Sequence, residues 1–339
     1  MAAGVQIEAG SVAQALLKTY EYFYDQGWTD GLPVVPPTKE MVEQFVQASG
    51  RKANDSIAIL PPRSGRATVE VVAINAVMAG CRPEYMPVVI AALDGIADPA
   101  FRLNVMQVTT APSTPFLLIN GPVRKQLDIN CATGCLGPGW RANATIGRAI
   151  RLIMQNVGGA IPGVYSMASF GSPLRYTYVC GENEEENPWT PFHVDKGFGK
   201  SDSAVTVFRA TNYVNISGGM GVGPDDILRQ IATQMPPMDG GGRDAALVLL
   251  GVNHAQALHN AGLTKRDVQE RLWERAALPV DYFARDFVEM EQRAGKAGLE
   301  VIHRTARPDD IYVAVAGGPG PQDVYIAVGG YQTRQIMMG

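Results

Sequence analysis

The sequence predicts an α/β fold, with mixed or parallel sheets flanked by helices in two layered domains. Short apolar runs such as Phe116 to Ile119 and Ala246 to Val252 alternate with stretches of helical periodicity. Glycine and proline, 37 and 23 of 339 residues, gather in short loops at the ends of those runs. The strand–helix rhythm is cleanest toward the C-terminus. The expected domains are therefore 1–238, built round a central Cys/Gly-Pro-Gly loop and helix, and a smaller one at 239–339.

Composition bounds the function. A hydrophobic content of 46% with 18% charged residues is that of a soluble globular enzyme. A net charge of −4 argues against a nucleic-acid surface. No apolar run is long enough to span a bilayer, and the N-terminus lacks a signal-peptide pattern, so a cytoplasmic location is expected. Four cysteines in so long a chain do not make a disulfide scaffold.

The elements follow in order. Residues 11–24 read as an amphipathic helix capped by Ser11, with Leu16, Tyr20 and Phe23 on one stripe. A proline-rich extended segment follows, and Thr38 caps the next helix. Residues 68–80 and 84–96 form two small-residue apolar helices, with Cys81 in the turn between them as a buried thiol. This helix pair, with exposed Tyr20, Tyr22 and Tyr24, suggests a homo-oligomer interface. Strands are expected at 116–119, 176–180 and 205–208. The central helix runs from an N-cap at Asn143 to a stop at Gly158-Gly159, with Ile146, Ile150, Ile153 and Val157 on one face. A helix covers 225–234, and Pro236 to Gly242 reads as a linker. Strands at 246–252, 311–316 and 324–328 and a helix capped by Thr264 complete the chain. The 246–252 strand is expected to end at Asn253-His254.

Several loops carry distinctive wording. They are Gly27-Trp28-Thr29-Asp30-Gly31-Leu32-Pro33-Val34-Val35-Pro36-Pro37-Thr38, the run from Gly137 to Ala149, Glu182-Asn183-Glu184-Glu185 with Pro188-Trp189 and His193, and Ala316-Gly317-Gly318-Pro319-Gly320. Over most of the chain they resemble a little-characterised bacterial family associated with UGSC-type (seleno)proteins. Such proteins carry selenocysteine or cysteine in a U/C-G-S-C motif, and this chain has no C-G-S-C. If the resemblance implies thiol or selenol chemistry, either Cys131 and Cys135 carry it or a partner chain does.

Candidate chemistry centres on Cys131 and Cys135, spaced C-x₃-C before the Gly137-Pro138-Gly139 turn. A helix N-terminus there would favour anions and lower a thiol pKa. The alternative is that both thiols are structural. The acidic run Glu182 to Glu186, ending a strand near His193, is either a solvated loop or a source of a general acid/base. His254 is either a catalytic group or a helix-capping or core histidine. The Gly137-x-Gly139-x-x-Ala142 spacing lacks the strand and acidic residue of a dinucleotide fingerprint. Gly317 to Pro321 lacks the Lys-Ser/Thr of a P-loop, and no G-x-S-x-G elbow is present.

The expected activity is small-molecule catabolism by thiol-assisted attack on a carbonyl, acyl or related electrophile. Cys131 or Cys135 would be the nucleophile, with Glu182, His193 or His254 serving acid/base roles. Arg141 with helix N–H groups would clamp an anion, and Asn143, Asn183, Gly318 and Gly320 would bind substrate. One alternative is metal-assisted hydrolysis or hydration by the Glu182–His193 loop. Another is a non-catalytic partner subunit for a small Cys- or Sec-containing protein. The sequence names no cofactor and no substrate.

Overall fold

The computed structural model describes residues 5–219, 221–235, 245–293 and 300–338. The N-terminal part contains α1 (Val12–Asp25), α2 (Lys39–Ala48), β1 (Ser56–Leu60), β2 (Gly65–Thr68), α3 (Val69–Ala79), α4 (Met86–Ala97), α5 (Leu103–Val108), β3 (Thr114–Asn120) and α6 (Val123–Gln126). Then come α7 (Arg141–Asn156), β4 (Val179–Gly181), α8 (Phe192–Asp195), β5 (Ala204–Ala210), β6 (Val214–Ser217) and α9 (Pro224–Thr233). The remainder holds β7 (Ala245–Leu250), α10 (Val252–Asn260), α11 (Lys265–Arg275), β8 (Ala277–Pro279), α12 (Arg285–Arg293), β9 (Val301–His303), β10 (Ile311–Val315) and β11 (Gln322–Gln335).

The fold is α/β. Among the described residues the main sheet has seven strands in the order β10-β7-β11-β5-β3-β4, with β6 added beside β11. The β10/β7 and β3/β4 pairs are parallel, and the others are antiparallel. Side chains alternate across each strand. On β3, Leu117 and Ile119 face a core under α2, α3, α4 and α7. On β7, Ala246, Val248 and Leu250 face a second core under α9, α10 and α11. Phe116 and Leu118 turn the other way and meet Leu247, Leu249, Ile326 and Val328, because the sheet curls round a third core.

The sheet does not divide at 238/239. The long strand β11 pairs with β7 on one side and β5 on the other, so both expected domains share one sheet. Its register shifts between Val328 and Tyr331. A Cβ at the intervening Gly329 would come within 2.2 Å of the Arg209 guanidinium, so a larger residue at this change of partner would have to displace that side chain.

Other expectations shift in detail. The 324–328 strand extends over Gln322–Gln335, and the 176–180 strand shrinks to Val179–Gly181 behind a short 3₁₀ turn. Asn253 and His254 lie in the first turn of α10 rather than ending β7. Thr264 forms a capping box with Asp267. The β1/β2 hairpin was not foreseen. The expected interface on helices 68–96 is corrected: Val72, Ala76, Val88 and Leu93 are buried in this chain's own core. The Pro236 to Gly242 linker lies outside the described residues.

Asn143 is not an N-cap. Trp140 holds that position, and Asn143 is buried inside α7. Its Oδ1 accepts the Asn130 N–H at 2.8 Å, and its Nδ2 donates to the carbonyls of Asn130 at 2.9 Å and Cys135 at 3.0 Å. It thus ties the cysteine loop to the helix. Replacing it with Ala strands the Asn130 N–H and the Cys135 carbonyl, while the Asn130 carbonyl keeps the Gly181 N–H; a buried group left unpaired costs about 1–3 kcal/mol. Asn143→Ala should lower unfolding stability by about 2–3 kcal/mol in a urea titration. A loss under about 0.5 kcal/mol, the scale of a neutral surface change, would show the tie to be dispensable.

Candidate active site

The polar centre of the molecule forms where β3 and β4 end. Gly121 turns the chain after β3 with φ +82°, and a Cβ there would lie 2.0 Å from the Asp202 carbonyl oxygen. Only glycine fits, and the turn delivers Arg124 on the short helix α6. Arg124 is 4% exposed. Its Nε donates to the Gly121 carbonyl at 3.1 Å, and one terminal nitrogen donates to the Glu182 carbonyl at 2.7 Å. The guanidinium grips Glu185 through both carboxylate oxygens at 3.1 and 3.2 Å and pairs with Glu184 at 3.1 Å. Such bidentate pairing offsets much of the cost of burying the cation. Arg124 and Lys125 hold the Glu185 carboxyl down to about 2.

Cys131 lies 3.7 Å from Arg124 Nη1. It is half-buried, whereas Cys81, Cys135 and Cys180 are buried. Its thiol opens on a cleft of about 310 Å³ lined by Arg124, Lys125, Asp128, Asn130, Trp140 and Glu185. Burial pushes this thiol up, and Glu185 adds to the rise; Arg124 pulls the other way. The expected lowering at a helix N-terminus is therefore corrected for Cys131. Cys135 is lowered, by the adjacent Cys180 thiol and by backbone N–H groups of Gly317, Cys135 and Leu136. None of those groups belongs to the first turn of α7.

Three loops do converge. The Cys131 carbonyl accepts the Gly317 N–H at 2.9 Å, and Asn183 donates through its backbone to Val315 and through its side chain to the Gly317 carbonyl. Gly318 abuts Thr133 so closely that a Cβ would meet its Oγ1 at 1.9 Å. The Gly320 N–H donates to Asn253 Oδ1 at 2.7 Å. Asn183, Gly318 and Gly320 are thus engaged in fastening the loops together.

The other expected residues lie elsewhere. Glu182 directly follows β4, as expected, and is fully buried. It accepts hydrogen bonds from Asn120 at 2.5 Å, Asn187 at 2.8 Å and the Phe192 N–H at 2.7 Å. Burial raises its pKa. His193 is also fully buried, its Nδ1 3.9 Å from Glu184, and neither ring nitrogen meets a hydrogen-bond partner among the described residues. Burial lowers its pKa, against the pull of Glu184. Arg141 turns away and donates to the carbonyls of Gly80 and Cys81, so it does not line the cleft.

His254 belongs to a separate buried dyad. Its Nδ1 is 2.7 Å from Asp323 Oδ2, and Asp323 Oδ1 accepts the Gly251 N–H. Burial opposes the imidazolium, but Asp323 outweighs it and the pKa is raised. Its Nε2 packs under Gly218, where a Cβ would lie 3.0 Å away.

Sequence reasoning missed Arg124, Lys125 and Trp140 as lining residues, and Asp323 as the partner of His254. A signal existed for two of them. Arg124 follows a Gly-Pro turn at a buried strand's end, where α/β folds collect ligands. Asp323 is an acid set before the apolar run Val324 to Val328. Among the described residues no group of three His, Cys, Asp or Glu side chains is arranged to hold a metal ion, and no helix is long and apolar enough to cross a membrane. No protein-family model matches the chain, and no curated protein matches it.

Glu182 meets three donors, so an amide in its place sets N–H against N–H. Glu182→Gln should cost about 1–3 kcal/mol in urea unfolding, the usual penalty for a buried donor left unpaired. An unchanged midpoint and slope would show that the carboxylate is not held as an acceptor.

Proposed function

We propose that the Cys131 cleft is an active site and that the chain is a thiol-dependent enzyme of small-molecule catabolism, acting on a small carbonyl or acyl electrophile. The observation that supports this reading is the half-open Cys131 thiol beside the buried Arg124 guanidinium. The cleft, about 310 Å³, sits at the lower end of ligand-site volumes and suits a small substrate.

In this reading the Cys131 thiolate forms an S–C bond to the electrophilic carbon. The carbonyl π pair moves onto oxygen, and the Lys125 ammonium on the cleft wall, which it shares with Glu185 at 2.8 Å, supplies counter-charge. The thiol proton leaves to solvent, because Glu185, held near 2, is too weak a base to take it. Arg124 favours the thiolate, and Trp140 offers an apolar wall. Glu182 and His193 act as buried support, and their carboxylate and imidazole do not line the cleft. The metal-assisted alternative would need Glu182 oxygens that three N–H donors already occupy.

Mass-spectrometric footprinting with iodoacetamide tests the nucleophile. Cys131 should label first among the four cysteines. Because the thiolate reacts and the pKa is raised, its rate should climb about tenfold per pH unit from neutrality toward that pKa. Glu185→Gln frees Arg124 and Lys125 and removes a charge that disfavours the thiolate, so labelling at pH 7 should quicken severalfold. Equal slow labelling of all four cysteines, or no effect of Glu185→Gln, would sink the proposal.

A further inference from the structure

A second cavity of about 480 Å³ shares no lining residue with the Cys131 cleft. It opens beside the aromatic part of the sheet's inner core. Lys196, immediately after α8, reaches over three rings there. Its ammonium lies 4.8 Å from the centroid of Phe192, 4.7 Å from Tyr312 and 4.8 Å from Tyr331. The rings stand nearly at right angles to one another, with interplanar angles of 88°, 74° and 71°. They therefore wall the cation on three sides and hold it by their negative faces.

The other charges lining this cavity are answered. Lys265 pairs with Asp195 at 2.5 Å, Arg307 pairs with Asp310 at 3.1 Å, and Asp309 pairs with Arg266. Lys196 meets no carboxylate among the described residues. Ring faces attract a cation but do not neutralise it. Three cations and three carboxylates line the cavity, and Lys196 is the one of these charges met by ring faces rather than by an opposite charge, beside the apolar walls of Tyr312, Tyr331 and Val313. Lys196 itself occupies the aromatic box that would otherwise take a cationic group.

We propose that this cavity binds a small organic carboxylate. Its anionic group meets the Lys196 ammonium, and its apolar body lies on Tyr312 and Tyr331. This assignment does not rest on the Cys131 reading, and either can fail alone.

Calorimetric titration of the full chain with benzoate and with benzyl alcohol, its neutral analogue, tests it. Benzoate should bind saturably and at least about tenfold more tightly than the alcohol. Lys196→Met, which keeps the apolar stem, should weaken benzoate by about tenfold or more, the scale of one charge-assisted hydrogen bond. Reductive methylation of the wild-type chain gives an independent readout. Benzoate should slow modification of Lys196 and leave exposed Lys200 unaffected. Equal binding of acid and alcohol, undiminished binding by a folded Lys196→Met variant, or unprotected Lys196 would overturn the proposal. Should circular dichroism show the variant unfolded, the methylation pattern decides alone.

Discussion

A guanidinium that leaves water must find acceptors in the protein, and Arg124 sets this requirement for its whole neighbourhood. Two backbone carbonyls and two carboxylates meet it. That need accounts for the crowding of Glu184 and Glu185 at the end of β4, and for the glycine that lets the chain turn sharply after β3. The Cys131 thiol lies 3.7 Å from the same guanidinium, and the cleft opens beside the ion pairs. Geometry made for burying one charge has thus left a sulfur next to a cation.

The same centre binds the sheet's two ends. Asn183 spans from the β4 end to Val315 and Gly317 at the β10 end, and Cys131 takes a second bond from Gly317. β4 and β10 are the outermost strands of the main sheet's order. Polar loops join the curled sheet's two extremes, while the aromatic and aliphatic inner core fills the space within. The helices outside bury two further apolar faces, so each central strand contributes to two cores at once.

The repeating part of this architecture was legible in the sequence. Apolar runs marked β3, β5, β7 and β10, and caps at Ser11, Thr38 and Thr264 marked helix starts, because those signals are local. The closure of the sheet was not legible. It depends on β11 pairing across distant chain segments, and Tyr331 to Gln335 looks too polar to announce a strand. The candidate site was legible by neighbourhood rather than by role. Cys131, Asn183, Gly318 and Gly320 converge as the loops suggested. Asn143, read as a cap, is instead a buried hydrogen-bonding hub inside α7, and Glu182 is buried among three donors, because which groups lose water is decided by tertiary packing. Arg141, close to Cys131 in sequence, is turned toward Gly80 by the same packing.

The placement of β11 also bears on how the chain is made. A ribosome releases residues 204–210 and 245–250 well before 322–335. Until that last strand arrives, β5 and β7 each present an edge with unpaired backbone groups. The nascent chain must therefore carry apolar strand edges while residues 211–321 are made, and the sheet closes only after them. Aggregation in the cell would be governed by that waiting time rather than by the stability of the finished fold.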